Sequence, residues 1–264
     1  MAKSAFRDQI RSALDGRAAD LNAPIDLLQG FYCATPAPSP PGPFPMSNGS
    51  PFAVPKPQPS VDPNDPRDYP TRLSDWRIAQ AAHTGEPNEV DLEAIAEPVL
   101  ARLGAITWPR ETNISVDLDP TGQILLLAVD LPEPEDMPRE EYAVVARSLT
   151  LKQTALSGRA LNRLYVSHVH GLLFRVIGEA MAAHGAFSQV RVGAYCQRTA
   201  PSTARREDVW IAEIAVDRSR WAEIDFRNLV DLDPEQALKR FEPRILVTAA
   251  GVFRPIKVSR DFSL

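Results

Sequence analysis

Thirteen of the chain's 25 prolines fall between Pro36 and Pro70, and no other feature limits the fold as strongly. Each proline fixes its own φ, removes a backbone donor and pushes the preceding residue out of the helical region. The stretch Thr35 to Tyr69 therefore predicts neither helix nor sheet ladder, and reads as a semi-extended, proline-rich linker. Pro36-Ala37-Pro38-Ser39-Pro40-Pro41 has the spaced prolines of a ligand for a partner domain, but no adjacent basic anchor, so the spacer reading is preferred. The tract divides the chain into an N-terminal helical arm over 1–34, the linker over 35–70, a helical connector over 71–110 and a folded domain over 111–264.

In the arm, Phe6, Ile10, Leu14 and Leu21 recur at helical spacing, and Ser4 can cap the start. A short amphipathic helix of this kind is marginal in water, because nucleation is costly and packing supplies most of its stability. It must dock on its own domain or on another chain. Phe6, Ile10 and Leu14 are accordingly the candidate partner-binding residues.

After the linker, Leu73, Trp76, Ala79 and Ala82 share one helical face, and Gly85 supplies a stop. Leu92, Ile95, Ala96, Val99, Leu100 and Leu103 form a second stripe, ended by Gly104. Pro98 within it predicts a kink or two short helices. From Asn113 the period changes to two. Ile114, Val116 and Leu118 alternate, Asp119-Pro120-Thr121-Gly122 makes a turn, and Ile124 to Val129 returns as a buried strand. Tyr142 to Leu149 is a third strand.

Ser157 to about His184 is the strongest helix. Its apolar arc is wider than one stripe, so it packs on more than one side. Gly171 and Gly178 each cost about 1 kcal/mol of helix propensity, and their placement predicts close contact with a sheet. Val190–Gln197 and Val209–Val216 form a second hairpin. Asp217 and Asp233-Pro234 open two short helices, and a last strand runs Arg244 to Thr248. Hairpins crossed by one long helix give an α+β fold, with an antiparallel sheet packed against a long central helix and a flexible proline-rich N-terminal arm.

The balance of charge narrows the functions. A formal net charge of −5 argues against a general phosphate-backbone surface, and so against direct nucleic-acid contact. Two cysteines, Cys33 and Cys196, make neither a disulfide framework nor a four-thiolate zinc site. No apolar run approaches the roughly 20 residues that span a bilayer, and the N-terminus lacks a signal-peptide core, so a cytoplasmic protein is expected.

Chemistry-bearing motifs are sparse. His168 and His170 are two apart on a helix and so point about 200° from each other, which one metal ion cannot bridge; His168 reads as a hydrogen-bonded core residue. His83 and His184 sit at helix ends, where the dipole favours a cation. Cys196 reads as a buried, inert thiol. No nucleophile elbow, phosphate loop or dinucleotide fingerprint occurs. The nearest approach to a metal-dependent nuclease is Asp208 followed by Glu213-Ile214-Ala215, where Ala215 stands in the place of the lysine such sites need. Arg205-Arg206, beside Glu207 and Asp208, reads as a solvated loop. No catalytic, metal-binding or cofactor-binding residues are assigned, and no cofactor is implied.

From about Leu92 to Ile256, the order of features resembles an accessory module of bacterial restriction-endonuclease-related (Mrr-like) proteins. The resemblance rests on Val99-Leu100 before Trp108-Pro109, Ile124 to Val129 before Leu131-Pro132 and Met137-Pro138, and Leu161-Asn162-Arg163-Leu164-Tyr165 opening the long helix. It continues in Asp217-Arg218 with Trp221, in Asp231 to Lys239, and in Arg254-Pro255-Ile256. In larger members a nuclease domain follows. That domain is not in this sequence, and the proline tract replaces the usual charged, coiled N-terminal region. The resemblance implies a non-catalytic interaction or regulatory module of a DNA-restriction or phage-defence system. Its partner would be a separate nuclease, helicase or ATPase. A degenerate metal-dependent nuclease and a generic binding scaffold outside defence are the alternatives.

Overall fold

The computed structural model describes residues 2–43, 91–200, 202–259 and 262. The helix expected between Thr71 and His83, most of the proline tract, and His83 itself lie outside the described residues. Helix α1 spans Ala2–Gly30 and runs into a 3-10 turn at Phe31–Ala34. It lies within the arm expected over 1–34 and extends past Leu21, the last apolar position read from the sequence. The stripe begun by Ile10 and Leu14 continues at helical spacing through buried Ala18, half-buried Asn22 and Ile25, and buried Leu28. Helix α2, Leu92–Gly104, is capped by Asp91, whose carboxylate accepts from the Ala94 N–H at 3.0 Å. It stays one helix despite Pro98, because Ile95, Val99 and Leu103 are all buried on one side and hold it to the core.

The first predicted hairpin is β1, Asn113–Leu118, with β2, Ile124–Asp130. Its turn is fixed by Asp119, which accepts from the Ile124 N–H at 2.6 Å, and by Gly122 at φ +69°. The second is β5, Gln189–Thr199, with β6, Arg206–Asp217. The two hairpins join side by side in a five-stranded sheet ordered β1-β2-β5-β6-β7, closed by the two-residue strand β7, Arg244–Ile245. The β2–β5 pair is parallel, so the sheet is mixed and the expected all-antiparallel sheet is corrected. A parallel neighbour needs a long crossover, here supplied by everything between Leu131 and Ser188. β5 and β6 lose register at Ala194/Tyr195. Ile211 is the extra residue there, so Ile211 and Ala212 are buried consecutively.

Strand β3, Glu140–Val145, matches the expected third strand only in part. It pairs with β4, Thr150–Ala155, in a separate two-stranded hairpin. β4 is Thr-Leu-Lys-Gln-Thr-Ala, almost wholly exposed, and shows no apolar alternation to read. The hairpin is tied to α1 through Asn22, whose side-chain amide donates to the Tyr142 carbonyl at 2.8 Å and accepts from the Tyr142 N–H at 2.9 Å.

Helix α3, Gly158–Ala183, begins at Ser157, whose hydroxyl accepts from the Ala160 N–H. It packs against the inner face of the sheet, where Leu125, Leu127, Val129, Val190, Val192, Ala194, Ile214 and Val216 are buried. Two short helices follow, α4 at Arg218–Trp221 and α5 at Pro234–Lys239.

The boundaries drawn at 34 and 110 do not divide the core. Leu28, Phe31, Ile95, Val99 and Leu103 are buried with the apolar side chains of α3 and the sheet. Gly171 and Gly178 meet this N-terminal segment instead of the sheet. A Cβ on Gly171 would touch the Tyr32 ring, and one on Gly178 would overlap the Thr35 methyl. Residues 35–43 form neither helix nor strand, as expected, but they are docked. The Ser39 N–H donates to the Met181 carbonyl at 3.1 Å and the Gly42 N–H to the Gly185 carbonyl at 3.0 Å.

Candidate functional site

Helix α3 differs along its length, and the difference locates the site. Toward its C-terminus the acidic and basic groups are paired. Glu179 lies between Arg102 and Arg175, with N–O distances of 2.7 Å to both, and Arg175 also stands over the Phe31 ring. The Arg218 guanidinium is buried and donates to the carbonyls of Phe187, Ser39, Met181 and His184 at 2.5 to 2.9 Å. It satisfies carbonyls that the end of α3 leaves unbonded and clamps the proline-rich segment there. His184 is no helix-end cation. Its Nδ1 accepts from the Ala186 N–H at 3.0 Å, and burial with the nearby Arg218 lowers its pKa.

Toward its N-terminus the same helix walls a cleft of about 610 Å³. Arg159, Arg163 and Ser167, at four-residue spacing, are exposed along this wall, and His170 lies deeper. The facing wall is built by Tyr32 and by Leu232 to Glu235 at the start of α5. The Tyr32 hydroxyl ties these two pieces together by donating to the Leu232 carbonyl at 2.8 Å. Val247 to Gly251 forms the third side. Asn162 holds that loop to α3 by donating to the Ala250 carbonyl at 2.9 Å, and Gly251 turns it at φ +78°.

The electrostatics of the cleft are uneven. Neither Arg159 nor Arg163 makes an ion pair or hydrogen bond with the described residues. The nearby acids are occupied: Asp233 accepts from the Glu235 N–H at 2.9 Å as the cap of α5, and Glu235 holds Lys239 at 2.8 Å. The Lys239 hydrogen bond is the leading cause of a lowered Glu235 pKa. His170 is 5% exposed, and its Nδ1 lies 2.7 Å from the Val166 carbonyl. A carbonyl only accepts, so Nδ1 carries the proton and Nε2 presents a lone pair. Burial lowers the His170 pKa and keeps the ring neutral. The ring stacks on Phe253 at 6.1 Å.

The residues singled out from sequence are dispersed. Phe6 is 64% exposed, whereas Ile10 and Leu14 are half-buried on the stripe that leads into the docked part of α1. His168 is fully buried, with Nδ1 3.3 Å from the Leu28 carbonyl, and desolvation lowers its pKa to about 4. Cys196 is fully buried and its pKa is raised by desolvation. Asp208 and Glu213 are five residues apart on β6, about 16 Å along an extended strand, too far to share an ion. Asp208 instead neighbours Asp130, whose pKa is raised by burial and then by Asp208 and Glu111. Glu213 accepts from the Ser259 N–H and faces Arg244 at 3.3 Å. Arg206 reaches Glu133 at 2.8 Å, so that half of the arginine pair is not simply solvated. Among the described residues no group of three histidine, cysteine or acidic side chains is placed to hold a metal ion, and no helix is long and apolar enough to cross a membrane.

The sequence reading missed the cleft. Its one local signal was the spacing of Arg159, Arg163 and Ser167 on the polar side of a helix read only for its apolar side. No protein-family model, curated protein or solved structure matches this chain.

Proposed function

We propose that this chain acts by binding: it is an interaction or regulatory module of a bacterial DNA-restriction or phage-defence system, cytoplasmic, working with a separately encoded nuclease, helicase or ATPase. The defence context rests on the resemblance between Leu92 and Ile256. The observation that carries the binding role is the division of α1. Its second half is fixed by buried Ala18 and Leu28 and by the Asn22 bonds to Tyr142, while the first half of the same helix carries Phe6 at 64% exposure. Burying one such phenyl side chain is worth about 1.5 to 3 kcal/mol, which a partner that covers it would gain.

The anchored half dictates the variant that tests this. Removing residues 1–34 takes out Leu28 and Phe31 and destabilises the core, so the arm is cut after Gln9 or changed by Phe6→Asp. Tagged wild-type chain from its native host is expected to retain a nuclease, helicase or ATPase, and Phe6→Asp to lose at least about tenfold of it with an unchanged melting temperature. Equal retention by both chains removes the proposed surface. A partner unconnected with nucleic-acid enzymes moves the chain to the scaffold reading. Mg²⁺-dependent cleavage lost on Glu213→Ala replaces the proposal with the nuclease reading.

A further inference from the structure

We infer that the cleft on the N-terminal half of α3 binds a small organic phosphate, with Arg159 and Arg163 holding the phosphate and His170 accepting a hydrogen bond from the ligand's other end. The inference goes beyond the partner-binding reading and does not depend on the partner's identity.

Three observations converge on it. The first is charge. Arg159 and Arg163 stand one helical turn apart on the same wall, which places their guanidinium groups within reach of a single phosphate. No carboxylate among the described residues lies within ion-pair distance of either, and the two acids on the opposite wall are committed to the α5 backbone and to Lys239. Two neighbouring cations repel each other, and a dianion between them removes that cost. Guanidinium groups suit the role because their forked donors match phosphate oxygens in pairs.

The second is the inner end. His170 is more than nine-tenths buried, lines the cleft, and has its proton fixed on Nδ1 by the Val166 carbonyl. Nε2 is left as an acceptor with no hydrogen-bond partner among the described residues. A neutral acceptor at the back of a cleft calls for an O–H or N–H donor, and a simple inorganic anion at the mouth does not supply one there.

The third is dimension. Arg163 and His170 are seven residues apart, about 10 Å along the helix axis. The cleft holds about 610 Å³, within the range of small-molecule sites. The ligand is therefore a phosphate joined to a body with a hydroxyl or N–H donor several ångströms away, the size of a nucleoside monophosphate. Tyr32 contributes a ring on the facing wall, its hydroxyl proton already given to Leu232.

Calorimetric titration of the full chain with adenosine monophosphate, inorganic phosphate and adenosine tests this. Adenosine monophosphate is expected to bind at least about tenfold more tightly than either fragment. The double variant Arg159→Ala/Arg163→Ala, altered only at exposed positions, is expected to lose at least tenfold for both phosphates. His170→Phe, which keeps a ring on Phe253 but removes the acceptor, is expected to weaken the nucleotide and leave inorganic phosphate unchanged. Arg227→Ala, at an exposed ion pair elsewhere, serves as the control. Failure of all three compounds to saturate below about 10 mM overturns the proposal. So does binding that the double arginine variant leaves as in wild type. Inorganic phosphate binding as tightly as the nucleotide overturns the assignment of His170.

Discussion

The two ends of α3 meet the same residue type in opposite conditions. At one end, Arg175 is mostly covered and ion-paired with Glu179, and Arg218, packed there from α4, is buried and donates to four backbone carbonyls. At the other, Arg159 and Arg163 are exposed above a cleft without an ion pair among the described residues. The matched end is covered by the N-terminal segment as it crosses Gly178. At the open end that segment contributes only Gln29 and Tyr32 to the cleft walls. The Arg218 guanidinium, its donors taken up by four carbonyls, has no capacity left for a ligand, whereas a pair with no partner among the described residues gains from one. One helix thus separates a part that holds the fold from a part free to bind.

The largest effect should come from exchanging the two kinds of arginine. Arg218→Met leaves several buried carbonyls unsatisfied and should cost about 3 to 5 kcal/mol in urea unfolding, while Arg163→Ala should stay within about 0.5 kcal/mol of wild type. Equal losses would erase the distinction. Acidification tests the sealed region next. His168 titrates at about 4 when folded and 6.5 when unfolded, so only the unfolded chain takes up its proton between those values. Its contribution is fully present above pH 6.5 and is lost as pH falls toward 4, about 3 kcal/mol in all. His170 and His184 are shifted the same way and add to the loss. Unfolding free energies at pH 7.5 and 4.5 measure the sum, and His168→Asn should flatten the profile. The smallest effect sharpens the contact that seals the helix. Gly178→Ala should cost about 1 to 2 kcal/mol through overlap with the Thr35 methyl. Thr35→Ser, which removes that methyl and keeps the hydroxyl bond to the Tyr32 carbonyl at 2.6 Å, should return most of it in a double-mutant cycle.

Much of the fold was legible because its signals are local. The start of α3 near Ser157, its wide apolar arc, the Asp119–Gly122 turn, and Asp233-Pro234 opening α5 each lie within a few residues of what they determine. The parallel β2–β5 pairing was not legible, since a crossover of more than fifty residues leaves no periodicity at either strand. β4 escaped because an exposed hairpin strand has no buried face to alternate. The cleft escaped for a similar reason. Its walls come from Tyr32, α3, the start of α5 and the Val247–Gly251 loop, and only the arginine spacing on α3 was visible in one stretch of chain.

By itself the sequence determined the α+β class, the two main hairpins, the long helix and the barrier to regular structure that begins at Pro36, because steric limits and hydrophobic period act between near neighbours. Tertiary structure alone decided that the start of the proline-rich segment is clamped on α3, that the glycines of α3 receive it, and that two arginines stand beside a neutral histidine without an ion-pair partner among the described residues. Those outcomes depend on which distant groups meet, and burial and charge pairing are properties of the assembled molecule.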